Sequence, residues 1–213
     1  MSSKAESAAG TGGSASKRAA FLALWMAVIA EAVWLGWAVR RADASLLVYP
    51  GLVTFLFLAL ALARGRWPWL ASLARVFVGF AFTASVADRF GLLGPPGAAG
   101  VSWGDFPHFV VYTRQVNGFL PEGLAPTLAV LATLLEAALG LALIVGGAIR
   151  LAASAAAVLL LLFGSAMAIS LGFVSTFPYA VFVLAGGAWV LTHIDASRLS
   201  VDALLRRRRT ART

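Results

Sequence analysis

The chain contains no cysteine and few charges, with Asp, Glu, Lys and Arg making up 12% of its 213 residues. Without a thiol it cannot exchange disulfides, hold an iron–sulfur cluster through thiolates or be cross-linked by disulfides. Any redox role must therefore rest on a bound cofactor or a partner. Histidine is almost as scarce: there are two, His108 near Asp105 and His193 near Asp195. A metal centre draws three or four converging ligands, and a haem between paired histidines needs them in mid-span; the sequence offers neither pattern.

Apolar side chains are abundant instead. Hydrophobic residues make up 61% of the chain and the mean hydropathy is +0.88, far above that of a water-soluble domain. A spanning helix uses about 20 apolar residues. Runs at 19–39, 45–63, 69–93, 124–148, 150–171 and 177–193, separated by punctuation such as Gly65-Arg66-Trp67-Pro68, predict an all-α polytopic bundle of six transmembrane helices. The first run is too long for a signal-peptide core and ends in Arg40-Arg41 rather than a small-residue cleavage site, which predicts a retained helix. Residues 1–18, rich in Ser, Gly and Ala, read as a disordered tail. Residues 196–213 read as a basic tail, with Arg206 to Arg209 and Arg212 suited to anionic headgroups and lacking the folded basic surface that nucleic-acid binding requires.

The basic residues also predict orientation. With six spans, one side holds Lys4, Lys17, Arg18, Arg64, Arg66, Arg150, Arg198 and the five tail arginines, while the other holds Arg40, Arg41, Arg89 and Arg114. Twelve against four places both termini in the cytoplasm of a multi-pass cell-membrane protein. The long connection 94–123 then faces outward. Its aromatic residues, Trp103, Phe106, Phe109 and Phe119, interleave with Asp105, His108, Arg114 and Asn117, the pattern of a short helix along the headgroup boundary acting as a lid.

Ionisable side chains deep in a span are the best functional clues in such a protein. There are three: Glu31, Arg75 and Glu136. Counting rise per residue from the expected helix ends leaves an axial gap of about 6 Å between Arg75 and Glu136, which predicts a buried ion pair between the third and fourth spans. That pair either fixes register alone or manages charge and protons. Glu31 has no evident partner. Arg89, fourteen residues after Arg75, falls on the same face, but at the membrane boundary it is expected to snorkel toward water. Trp34, Trp37, Trp67, Trp69 and Trp103 fit an interfacial belt or the walls of a quinone pocket.

From Arg75 to the end of the last span, the chain resembles the DoxX family of small membrane proteins. The resemblance rests on Arg75-Val-Phe-Val-Gly79, Asp88-Arg89-Phe90, the loop from Phe109 through Tyr112-Thr113-Arg114-Gln115 and Asn117 to Pro121, Leu135-Glu136-Ala-Ala-Leu-Gly140, and Gly146-Gly-Ala-Ile-Arg150. It implies a four-helix core, residues 69–195, with the pair at 19–68 added in front. It also implies a membrane subunit of the kind that serves thiosulfate:quinone oxidoreductases, with Arg75, Glu136 and Arg150 at the family's polar positions. On that expectation Glu136 and Arg75 are catalytic, Arg75, Glu136, Arg150, Glu31 and Trp103 meet a quinone, and a partner subunit supplies electrons. The alternative is a non-enzymatic scaffold or assembly factor that binds a partner protein through its small-residue faces and aromatic loop. A transporter ranks last, because no inverted repeat or pair of broken helices is visible.

Overall fold

The computed structural model describes residues 2–40, 47–198, 200–201 and 203–204. Within them the chain forms seven α-helices and no strand: α1 (Ser2–Ala38), α2 (Val48–Ala63), α3 (Pro68–Arg89), α4 (Phe106–Val116), α5 (Ala125–Val145), α6 (Ile149–Leu171) and α7 (Val181–Leu191). Short 3-10 turns, Glu122–Leu124 and Phe173–Tyr179, precede α5 and α7.

Four helical segments are long and apolar enough to cross a membrane: Gly13–Ala38, Pro68–Arg89, Glu122–Val145 and Ile149–Leu171. The bent pair Phe173–Tyr179 and Val181–Leu191, meeting at 64°, makes a fifth if taken as one span. α2 is apolar but has 16 residues, about 24 Å of helix against a hydrocarbon core of about 30 Å. The expected sixth span is broken because Pro178 removes a backbone donor and Ala180 takes a left-handed conformation (φ 47°). The third run stops at Arg89 rather than 93, and α1 begins at Ser2, so the expected disordered tail is helical from that residue. Extending a helix already nucleated by a long apolar segment requires little per residue. The basic run at 206–209, Arg212 and Arg41 lie outside the described residues.

Contacts between connections define two ends of the bundle. At one, Ser16 Oγ meets His193 Nε2 at 3.1 Å, Gly65 lies against Ile194, and Gly146 lies against Ser200. At the other, Trp34 stacks on Phe177 and α4 covers the ends of α3 and α5. They are called here the His193 end and the Trp103 end. α7 runs through the middle, apolar on every face and buried along nearly its whole length. It packs against Leu24 and Val28 of α1, Val53 and Phe57 of α2, and Ala153 and Ala156 of α6. Phe55, Leu134, Leu141, Leu151 and Ile169 point outward and are more than half exposed, as lipid-facing side chains are.

The antiparallel α3–α5 crossing positions the polar site. A Cβ on Gly79 would stand 2.8 Å from the Gly140 carbonyl oxygen, and one on Gly140 would stand 2.8 Å from Thr83 Oγ1. The two glycines let the backbones approach this closely, and so fix the register of every other side chain along the crossing.

Candidate functional site

An ion pair joins α3 and α5, but its arginine is Arg89 and not Arg75. Arg89 Nη2 donates to both oxygens of Glu136, at 2.6 and 2.7 Å, and to Ser85 Oγ at 3.0 Å; Nη1 donates to Thr133 Oγ1 at 2.8 Å. Both partners are 2% exposed. The expected snorkelling of Arg89 is therefore overturned: four polar acceptors inside the bundle replace the water it would otherwise seek. Its Nε–H is buried and meets no acceptor among the described residues.

The geometry explains the exchange of arginines. With Gly79 against Gly140, Glu136 faces a point near residue 83, so Arg75 lies about 12 Å and Arg89 about 9 Å away along the axis. Helical Cα–Cβ bonds tilt toward the helix N-terminus. In this antiparallel pair Arg89 and Glu136 lean toward each other, and Arg75 leans away. Arg75 instead donates Nη1 to the carbonyls of Leu143 and Ile144, the latter at 3.1 Å. These lie in the last turn of α5, where carbonyls lack intrahelical partners and the helix dipole favours a cation.

Aromatic rings cover the pair at the Trp103 end. The Arg89 guanidinium carbon lies 3.6 Å from the ring centre of Phe109 and 5.3 Å from that of Trp103, the geometry of cation–π attraction. The two rings meet edge to face at 5.0 Å, and Tyr112 lies 5.6 Å from Trp103. Burial, together with the phenol of Tyr179, holds the Tyr112 phenol above its ordinary range.

Two carboxylates hold this roof in place. Asp105 caps α4 by accepting from the His108 amide at 2.8 Å and contacts its ring Nδ1 at 2.7 Å; those two bonds hold its carboxyl below the ordinary aspartate value. Asp88, buried beside Arg89, accepts the backbone amides of Ser102, Trp103 and Gly104 at 2.9, 3.1 and 3.1 Å. Gly104 makes this possible: it adopts φ 74° and lies against the Pro95–Pro96 backbone, where a Cβ would collide. α4 buries Phe109, Thr113 and Val116, which share one helical face.

The other residues expected at the site lie elsewhere. Arg150 is exposed at the start of α6, at the His193 end with Arg75. Glu31 is 2% exposed inside α1, which packs on α2 and α7 and not on α5. Trp103 is the one expected partner of Glu136 that the fold brings near it, and it arrives by way of Arg89. Sequence reasoning missed Ser85, Thr133 and Asp88; the signal available was a pair of polar stripes, Ser85 with Arg89 and Thr133 with Glu136, at helical spacing. Among the described residues no group of three metal-binding side chains occurs. A separate cleft of about 270 Å³ lies between the end of α4 and the start of α5, flanked by Arg114, Asn117 and Leu128.

No family model, no curated protein and no solved structure matches the chain, so the DoxX resemblance stands on the motifs quoted above.

Proposed function

We propose that the chain is a DoxX-like membrane subunit that crosses the bilayer six times, with both termini in the cytoplasm, and offers the Arg89–Glu136 site to a quinone. The apolar helices and the alternation of connections between the two ends of the bundle support the multi-pass reading. The distribution of Lys and Arg supports the orientation, with the Trp103 end outside.

The buried, unmatched Nε–H of Arg89 carries the functional part of the proposal. A quinone carbonyl is an uncharged acceptor of the kind such a donor lacks, and it would have to displace part of the Trp103–Phe109 cover to meet it. Reduction to the hydroquinone consumes two electrons and two protons. Glu136, held by Arg89, passes protons in this reading, and a partner subunit supplies the electrons. In this reading Arg75 and Arg150 have structural roles at the opposite end.

The second reading, a scaffold with no redox part, is favoured by the bonds that Nη1, Nη2 and both Glu136 oxygens already make within the bundle, a pattern that fixes helix positions without a ligand. Solvent extraction of the purified protein separates the two. The quinone reading predicts retained quinone, lost in Arg89→Lys while helicity is unchanged, because lysine keeps the charge and discards the guanidinium fork. A quinone-free protein that also ignores added short-chain quinone, and copurifies with a stoichiometric partner, would establish the scaffold.

A further inference from the structure

The cleft between the end of α4 and the start of α5 shares no residue with the Arg89–Glu136 site. Its volume is about 270 Å³, and Arg114, Asn117, Glu122 and Leu128 are among the residues that line it. Small-molecule pockets begin at about 300 Å³, so the space suits a polar headgroup and is too small for an acyl chain. Its place along the chain fixes its depth. Glu122 opens the membrane-length segment Glu122–Val145, which puts the cleft at the boundary between hydrocarbon and headgroups.

Arg114 and Glu122, the two charged residues of the lining, meet there, with Nη2 donating to Oε2. An exposed ion pair adds little to stability, but it leaves most of its hydrogen-bonding capacity open. A guanidinium carries five N–H donors and a carboxylate has two accepting oxygens; this contact uses one of each. Asn117 donates Nδ2 to the Thr113 carbonyl at 2.9 Å and keeps its Oδ1 as a further acceptor. The lining therefore presents one positive and one negative group side by side, with no net charge. A simple anion is repelled by Glu122 and a simple cation by Arg114, whereas a zwitterion satisfies both.

Toward the bilayer interior the wall turns apolar. Leu128, Leu131 and Leu135 follow one another at spacings of three and four along α5, and so share one face. Leu131 and Leu135 are half exposed, at 50% and 49%, and continue the strip that Leu128 begins in the cleft. We propose that the cleft binds the headgroup of a phospholipid that carries a primary ammonium, the chemistry of phosphatidylethanolamine. Its phosphate accepts from Arg114, its ammonium donates to Glu122 and Asn117 Oδ1, and an acyl chain lies along the leucine strip. Two carbons join phosphate ester and ammonium, so one headgroup reaches both neighbouring side chains. A trimethylated headgroup has no N–H to give Glu122, and a glycerol headgroup has no cation. The site therefore discriminates among lipids of the same acyl composition.

Native mass spectrometry of the delipidated full chain in detergent provides the test. The probes are phosphatidylethanolamine, phosphatidylcholine and phosphatidylglycerol with identical acyl chains, and soluble phosphoethanolamine. The expected result is that phosphatidylethanolamine binds about fivefold tighter than the other two lipids, the yield of one exposed ion pair. Glu122→Gln abolishes that preference without weakening phosphatidylglycerol, and Arg114→Gln weakens all three lipids. Both side chains are exposed, at 54% for Arg114 and 73% for Glu122, so neither replacement threatens the fold. Phosphoethanolamine, which has no acyl chain to lay on the strip, binds more weakly than the lipid. Equal affinity for the three lipids, or a preference that survives Glu122→Gln, overturns the proposal. Phosphoethanolamine binding as tightly as the lipid identifies a soluble ligand, and overturns it too.

Discussion

The strength of the Arg89–Glu136 pair is measurable by a double-mutant cycle. Arg89→Met removes two bonds to Glu136 and one each to Ser85 and Thr133, and leaves a carboxylate without a counter-charge in a site 2% exposed. Breaking a buried pair by deleting one partner costs about 3–5 kcal/mol. Glu136→Leu strands the guanidinium in the same way and falls in the same range. In the double variant no charge remains, and apolar replacement of a whole buried pair is often close to neutral. The double variant is therefore more stable than either single one, and two single losses of about 3–5 kcal/mol against a nearly neutral double give a coupling energy of about 6 kcal/mol or more, above the usual range for touching residues. A neutral interhelical hydrogen bond in lipid gives about 0.6 kcal/mol on average, so the two cases are well separated. Reversible unfolding by SDS in mixed micelles, followed by far-ultraviolet circular dichroism, supplies the four stabilities. A coupling near 0.6 kcal/mol, or a double variant that loses the sum of the two single losses, would refute the reasoning.

Three other outcomes follow from the same geometry. Asp88→Ala removes the acceptor of three backbone amides and is expected to release the 94–105 segment, with a loss of about 1–3 kcal/mol; limited proteolysis should show new cleavage there, and unchanged resistance would count against Asp88 as the anchor. Gly79→Val places a branched side chain against the Gly140 carbonyl and Ile144, and is expected to destabilise the bundle by about 1–3 kcal/mol in the same SDS titration. Because Asp105 titrates below its ordinary value of 3.8, its capping contribution is fully present above that value and is lost as pH falls through the lower folded-state pKa; exchange of the His108 amide should accelerate over that acid range in the wild type and be fast at all pH in Asp105→Ala.

The apolar runs announced α3, α5 and α6 to within a few residues, because a membrane helix declares itself by composition over some 20 positions. The same signal failed where composition is uniform but the backbone is not. Residues 177–193 read as one apolar span, yet Pro178 and the left-handed Ala180 end a turn there and leave an 11-residue helix. The interior of α2 gave no hint that its ordered helix would have 16 residues. The short helix in the long connection was legible from its aromatic spacing; its fixing by Asp88 was not, because that contact spans fourteen to sixteen residues and depends on Gly104 closing the loop.

The same distinction governs the polar site. Sequence depth alone favoured Arg75 as the partner of Glu136 and left Arg89, on the same strip of α3, to snorkel at the membrane boundary. Two further quantities decide between them: the register set where Gly79 meets Gly140, and the tilt of each Cα–Cβ bond toward its own helix N-terminus. Register leaves the two arginines on opposite sides of Glu136 at similar axial distances. Tilt then aims Arg89 and Glu136 at one another and sends Arg75 to the open carbonyls of Leu143 and Ile144. For any antiparallel pair of membrane helices, an acidic residue on one will accordingly meet the basic residue of its neighbour that lies toward the acid's own helix N-terminus. A glycine contact is enough to set the count.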